Sequence, residues 1–374
     1  MIKIKLICIF LVFMLSVNLC QGQGYEYKTI DNKYASFKQP PSSFTNIVNY
    51  LPQNYVKDAS VDYTKYIQKA LDTNKKIVFP NFPLLINDNG LRLRNGSEVY
   101  FNKNSKLILK PSGKESYAMI KIYKAKNINL YNPYLVGDRE KHKGTTGEWG
   151  MGIQIRDSKN IHIYNVDIKN MWGDGIYITS YAKDRTDHIL VKYGLIDNVR
   201  RNGISIISGK HIMVDSVLIA NTHGHSPEAG IDVEPNNSEN VIEGLTLKNI
   251  FTFNNKLDGI ILNLSSLVNN QESAIVTATI LNHKDIGSRL GLGISGIHHI
   301  KKGDKKLSGL ITIENCQWLD TRLKQSLRIT NKYKLLPEIK LKNISTNKLS
   351  KKDFDSLVKK MIKGKKQFSY SIFK

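Results

Sequence analysis

Five times between Met151 and Leu262 the chain returns to the same short phrase: Met151-Gly-Ile-Gln-Ile155, Asp174-Gly-Ile-Tyr-Ile178, Asn202-Gly-Ile-Ser-Ile206, Ala229-Gly-Ile-Asp-Val233 and Asp258-Gly-Ile-Ile-Leu262. The glycines Gly152, Gly175, Gly203, Gly230 and Gly259 are separated by 23, 28, 27 and 29 residues. A period of this size means a stack of similar units, each burying its apolar face only against its neighbours. A second phrase runs in step with the first. Ile161-His-Ile163, Ile189-Leu-Val191, Ile212-Met-Val214 and Leu245-Thr-Leu247 are each followed, nine residues after their first member, by Asn170, Asn198, Asn221 and Asn254. Asparagine tolerates the left-handed backbone of a sharp bend and can bond to its copy on the next unit. These four therefore read as a structural ladder. Each unit holds two or more alternating apolar segments and no helical period, and strands stack about 4.8 Å apart. The expectation is an all-β chain, a single-stranded right-handed parallel β-helix. Propeller blades are longer, and the Leu-x-x-Leu-x-Leu frame of leucine-rich repeats is absent.

The ends of the 374-residue chain read differently. Lys3 and Lys5 precede an apolar run from Leu6 to Val17 and then small and polar residues to Gly24, the pattern of a secretory signal peptide over residues 1–22. Leu19 is bulky for a lipoprotein site at Cys20, so cleavage near Gly22 is expected. The product would be secreted, periplasmic or at the cell surface, without stable membrane insertion. Only Cys316 would remain, and stability would rest on the core rather than on a disulfide. Residues 23–58, with Pro40, Pro41 and Pro52, read as an extended lead-in. Tyr63, Ile67, Ala70 and Leu71 share one face of a helix over Val61–Leu71, with Asp62 as its N-cap, capping a β-helix that spans residues 59–348. Residues 349–374 are Lys-rich, with Phe354, Leu357, Val358 and Ile362 at helical spacing, and read as a C-terminal amphipathic cap. The net charge of +23 favours an anionic partner. Acidic polysaccharide fits, whereas export and the lack of any nucleic-acid motif argue against nucleic acid. A lysine-rich solvated surface explains the charge equally well. Monomer and homotrimer both stay open.

The repeat glycine also sorts residues by direction, because alternate strand residues face opposite ways. Ile153/Ile155, Ile176/Ile178, Ile204/Ile206, Ile231/Val233 and Ile260/Leu262 are core. The first outward column is Gln154, Tyr177, Ser205, Asp232 and Ile261; the second is Arg156, Thr179, Ile207, Glu234 and Asn263. Asp174 precedes its glycine, and Trp149 and Trp172 stand three residues before theirs. Asp174, Asp232, Glu234 and Glu228 are thus expected on one face beside two tryptophans and Arg200-Arg201. Carboxylates beside aromatics suit a sugar, the ring packing on C–H faces and the acids moving protons at the glycosidic bond. Asp174 and Asp232 lie two coils apart, roughly 9–10 Å by strand spacing, near the upper end for an inverting glycosidase. Asp before Gly is also an ordinary turn, and both tryptophans could seal a coil corner. His223 and His225, in Thr222-His-Gly-His-Ser-Pro-Glu228, could act as bases or simply form a polar turn. Glu148 and His142 complete the candidate substrate-binding set.

The stretches Gly137-Asp-Arg139, His142, Glu148-Trp-Gly150, Trp172-Gly-Asp-Gly175, Asn202-Gly-Ile-Ser-Ile206 and Ala229-Gly-Ile-Asp-Val-Glu-Pro235 resemble secreted and phage-borne proteins of the pectate-lyase-like β-helix superfamily. The resemblance covers roughly residues 55–320. It implies polysaccharide-active chemistry: hydrolase, lyase, epimerase or non-catalytic binding. Polygalacturonase-type hydrolases carry Asn-Thr-Asp, Asp-Asp and Gly-His-Gly on successive coils. Here Gly173-Asp174-Gly175 and Arg201-Asn202-Gly203 leave out the second Asp and the His. The clustered calcium-binding aspartates of pectate lyases are not evident, so a divalent cation such as calcium is a cofactor the resemblance admits without residues assigned to it. A glycoside hydrolase would use Asp174 as acid and Asp232 or Glu234 to activate water. A lyase or C5-epimerase on a uronic-acid polymer would use Arg201 against the substrate carboxylate and His223, His225 or Tyr177 to move the proton. A non-catalytic glycan-binding protein would use the same groove.

Overall fold

The structure is a computed structural model describing residues 34–182, 186–267, 274–295, 307–330, 337–362 and 368–371. The expected signal peptide lies outside the described residues. All paired strands are parallel, and they form a right-handed solenoid of about nine turns. One nine-stranded sheet is built from the Gly-Ile phrases: Leu91–Arg92, Ser116–Tyr123, Trp149–Arg156, Ile176–Thr179, Ile204–Ile206, Ile231–Val233, Asp258–Asn263, Leu290–Ser295 and Leu327–Ile329. A 17-stranded sheet wraps the rest of the wall. Its long strands fold round a corner: Lys159–Lys169 pairs first with Lys126–Tyr131 and then, beyond Asn165 at φ 54°, with Tyr134–Val136.

The inward columns are those read from the repeat. Ile153, Ile176, Ile204, Ile231 and Ile260 are wholly buried, in one apolar core running from Ile47 to Met361. Each such side chain is worth ~2 kcal/mol of burial. The glycine itself answers to close approach. The Gly203 N–H donates to the Ala229 carbonyl at 3.1 Å and the Ile204 N–H to the Gly230 carbonyl at 3.0 Å. A methyl group on Gly203 would lie 2.6 Å from that Gly230 oxygen and 2.2 Å from Ile219 Cγ2.

Asn170, Asn198, Asn221 and Asn254 occupy the left-handed region at φ 56°, 52°, 55° and 50°. The Asn198 amide donates to Asn170 Oδ1 and the Asn254 amide to Asn221 Oδ1, both at 2.8 Å. The ladder breaks at Asn221, whose amide turns to Asp197 Oδ1 at 2.8 Å. A second asparagine corner does another job. Asn132 Oδ1 accepts from the Lys38 N–H at 3.1 Å and Asn165 Oδ1 from the Ser36 N–H at 3.0 Å, strapping the lead-in to the wall. That segment then adds a short strand, Thr45–Asn46, beside Lys76–Phe79.

The N-terminal helix runs Thr64–Thr73, three residues later than its sequence pattern begins. Asp62 is held by a bridge to Leu85, so Tyr63 takes the cap position. The Asp62 carboxylate still accepts from the Thr64 N–H at 2.9 Å. Tyr63, Ile67, Ala70 and Leu71 are buried. A second helix, Lys351–Ile362, buries Phe354 and Val358. Among the described residues, no helix is long and apolar enough to cross a membrane.

Candidate functional site

The register places Gln154 beside Tyr177, Tyr177 beside Ser205, Ser205 beside Asp232 and Asp232 beside Ile261, so the outward column exists as read. Two of the acids expected on this surface, one in the column and one before its repeat glycine, are nevertheless buried. Asp174 is 0% exposed and Asp232 1%. Arg201 closes over them. Its Nη1 is 3.1 Å from Asp174 Oδ2 and its Nε 3.3 Å from Glu148 Oε2. Although burial opposes its charge, the carboxylates of Asp174, Asp232, Glu148 and Glu234 together raise the Arg201 pKa.

Below Arg201 the acids are tied by two residues that the repeat displays but that sequence chemistry did not single out. The Asn202 N–H donates to Asp174 Oδ1 at 3.0 Å, and the Asn202 amide donates to Ser205 Oγ at 3.0 Å and to Asp232 Oδ2 at 3.2 Å. The Ala229 N–H, donating to Asn202 Oδ1 at 3.0 Å, fixes the amide's orientation. The usable signal was position: Asn202 precedes its glycine as Asp174 and Asp258 precede theirs. Among the described residues, Asp232 Oδ1 has no hydrogen-bond partner. Burial, and then the charge of Glu234, push the Asp232 pKa well above the usual carboxylate range, against the pull of Arg201. Glu234 is half-buried and accepts from the Asn263 amide at 2.9 Å. Burial likewise raises Asp174, with Arg201 opposing. Tyr177 is pushed up to about 12 by burial and by Asp174.

The remaining candidates fall elsewhere. His225 Nε2 is 3.1 Å from Glu148 Oε2 and joins the rim of this cluster. Trp172 is sandwiched between the His142 ring at 4.0 Å and the Arg200 guanidinium at 3.9 Å, so its faces are not open to a sugar. The His142 side chain is itself buried, with Nδ1 2.9 Å from Asp138 Oδ2; Asp138 also accepts from Tyr117 Oη at 2.5 Å. Arg200 Nη1 donates to the Gly147 carbonyl at 2.7 Å. These three residues brace a corner. Trp149 is 46% exposed and is the aromatic left facing solvent. His223 and Glu228 line a different place, an open cleft of about 770 Å³ beside the asparagine ladder, with Arg322 and Lys256. There Glu228 Oε1 accepts from the Gly224 N–H at 2.6 Å. This cleft is larger than the 180 Å³ hollow that Tyr177 lines with Asn236 and Tyr181, and neither is lined by the buried acids Asp174 and Asp232, which mark the candidate site by their chemistry rather than by volume. Calcium among these acids would have to displace Arg201, which already supplies their positive charge.

Further along the same sheet the pattern inverts. Asp258, also wholly buried, takes Arg289 Nε at 2.9 Å and Arg328 Nη2 at 3.2 Å, with Arg322 close enough to act on it.

No known-family model matches the chain. Among solved structures it is similar to PfbA, a surface adhesin of Streptococcus pneumoniae (TM-score 0.56, 11% identity, 81% of this chain and 85% of that one). It is also similar to an iota-carrageenase complexed to iota-carrageenan fragments (0.53, 10%, 76% and 75%) and to the endo-xylogalacturonan hydrolase of Aspergillus tubingensis (0.51, 13%, 77% and 82%). The fold shared with them is the right-handed parallel β-helix. Two curated proteins of Bacillus subtilis (strain 168) match in sequence: the uncharacterized YclG, 26% identical over half of this chain, and the SPbeta prophage-derived uncharacterized YorA, 25% identical over 39% of it. The chain covers 38% and 28% of their lengths. Proteins of this shape thus include enzymes and an adhesin, and the residues must decide between them.

Proposed function

We propose that the protein is an extracellular carbohydrate-active enzyme that hydrolyses glycosidic bonds of an acidic polysaccharide lying along the Gly-Ile sheet. The observation that carries this reading is the Asp232–Glu234 pair, one carboxyl buried with its pKa raised by that burial and by its neighbour's charge, the other half-exposed two residues along the same face. A proton passes from the pair through Glu234 to the glycosidic oxygen as the C–O bond breaks, and the carboxylate left behind takes a proton from the attacking water. Asp174, wholly buried, positions Arg201 and Asn202 rather than meeting substrate. Arg289 and Arg328 support the acidic substrate. Arg328 continues the outward column three coils beyond Asp232, through Ile261 and Gly293, about 14 Å at the strand spacing. That is two or three sugars away, suited to a carboxylate or sulfate. A lyase is less well supported, because the Arg201 side chain is only 12% exposed between Asp174 and Glu148, whereas that of Arg328, also paired, is 41% exposed.

Binding without cleavage is favoured by one observation, the cover over Asp232. Both readings meet the same test: incubation with a panel of acidic and neutral polysaccharides, following reducing ends and the ultraviolet absorbance of unsaturated products. New reducing ends without unsaturation are expected, at least tenfold fewer in Glu234→Gln. Arg328→Ala should raise KM on the acidic substrate severalfold and leave any neutral one unchanged. Unsaturated products would sink the hydrolase reading, as would full activity in Glu234→Gln. Binding of the polysaccharide with no product would establish the second reading.

A further inference from the structure

We propose that Asp187, His188 and His211 form a binding site for a divalent transition metal, best matched to Zn²⁺, at a corner of the 17-stranded sheet. The site is independent of the glycan reading. Lys126, Lys159, Asp187, Lys210 and Glu243 are register partners on successive coils. The residues following them, Asn127, Asn160, His188, His211 and Gly244, all take left-handed backbone at the corner, at φ 56°, 55°, 54°, 48° and 67°. The fold asks only for that conformation, which Asn and Gly adopt most readily. Imidazoles at two adjacent corners beside the column's aspartate exceed what the bend needs.

The three side chains converge. Asp187 Oδ1 lies 2.8 Å from His188 Nδ1 and 2.8 Å from His211 Nδ1, and the two rings stand 4.6 Å apart. One ligand atom from each falls within 4.8 Å of the other two. Both imidazoles are 58% exposed, leaving the outer positions of an ion open to water. Two imidazole nitrogens and a carboxylate are a borderline donor set, suited to zinc and its neighbours and unsuited to calcium, which takes oxygen ligands. Without metal the aspartate accepts from both rings. On binding, each neutral ring carries its proton on Nε2 and turns the Nδ1 lone pair to the ion, so protons compete with the metal for the imidazoles. Other charges facing the corner are Lys159, which acts on Asp187, Lys210, 3.3 Å from Glu243, and His162, which feels His188. The lysines oppose a dication, so the affinity is that of a three-ligand surface site and falls short of a closed structural one.

The test uses the chelator-stripped full protein, titrated calorimetrically with ZnCl₂ at pH 7.5 and 5.5, with Co²⁺ absorbance as a second readout of nitrogen ligation. One equivalent should bind at pH 7.5, at least tenfold more weakly at pH 5.5, and raise the melting temperature. His188→Asn/His211→Asn keeps the corner conformation and should melt as the metal-free wild type does, with at least tenfold weaker binding. Unchanged binding in that variant, or no binding by the wild type, overturns the assignment.

Discussion

Gly203→Ala is expected to destabilise the solenoid by at least about 3 kcal/mol, or to leave no soluble folded protein. The added methyl meets Ile219 Cγ2 at 2.2 Å and the Gly230 carbonyl oxygen at 2.6 Å, both far inside contact distance. Overpacking a core against a movable side chain costs about 1–3 kcal/mol. Here one of the two obstacles is backbone, and it cannot retreat cheaply. The Gly230 oxygen accepts from the Ile204 N–H, and the Gly230 N–H donates in turn to the Asp258 carbonyl at 3.0 Å. Moving it breaks the ladder to the coil on either side. In a stack, each coil is held mainly by its neighbours, so a fault in a middle coil weakens two interfaces at once. Gly113→Ala is the control. Its nearest obstacle is Lys143 Cβ at 3.7 Å, an ordinary contact, and the change should cost under about 0.5 kcal/mol. Urea unfolding of both variants checks the expectation; a loss of 1 kcal/mol or less in Gly203→Ala would show that the close approach is not what the repeat preserves.

That glycine also explains how far the sequence could be read. Period, inward columns and corner asparagines are each imposed once per coil by backbone geometry, so they recur and become visible. Asp232 and Glu234 could be placed in their columns for the same reason. The burial of Asp174 and Asp232 could not, because the partners that hold them, Arg201 on Asp174 and Asn202 on both, reach across from other coils. Nothing in the spacing of Trp172 and His142, 30 residues apart, announces that their rings stack, since that contact is made by a loop outside the repeat. Asp138 likewise appeared only as part of a loop, although it binds His142, Tyr117 and the Ser112 N–H. Positions imposed on every coil could be read; contacts made once, by Arg201, Asn202 or the His142 loop, could not.

The buried pair His283 and Asp285 should cancel each other's effect on stability, and Asp285→Asn should expose the cancellation. His283 Nδ1 accepts from Trp318 Nε1–H at 3.1 Å, which puts the ring's proton on Nε2, donating to Thr252 Oγ1 at 2.8 Å. The Thr252 hydroxyl then donates to Asp285 Oδ1 at 2.6 Å. Burial holds His283 down to about 3 and pushes Asp285 up to about 7. For Asp285 the folded state binds the extra proton between its ordinary value of 3.8 and about 7, so its contribution falls as pH rises through that window. For His283 the unfolded state binds the extra proton between about 3 and its ordinary 6.5, so its contribution is lost as pH falls through that window. From about pH 4 to 6.5 the two slopes oppose and nearly cancel. Removing the carboxylate leaves the histidine slope alone. At roughly 1.4 kcal/mol per pH unit, discounted for relaxation around a buried group, the stability of Asp285→Asn relative to wild type should rise by about 2–4 kcal/mol between pH 4 and pH 7. Taking that difference removes the raised carboxyls of Asp174, Asp232 and Asp258, which titrate alike in both proteins. Urea unfolding at half-unit pH steps measures it. A difference that stays level with pH would mean that Asp285 is already ionised in the folded core, and that the relay from Trp318 through His283 and Thr252 ends on a charge.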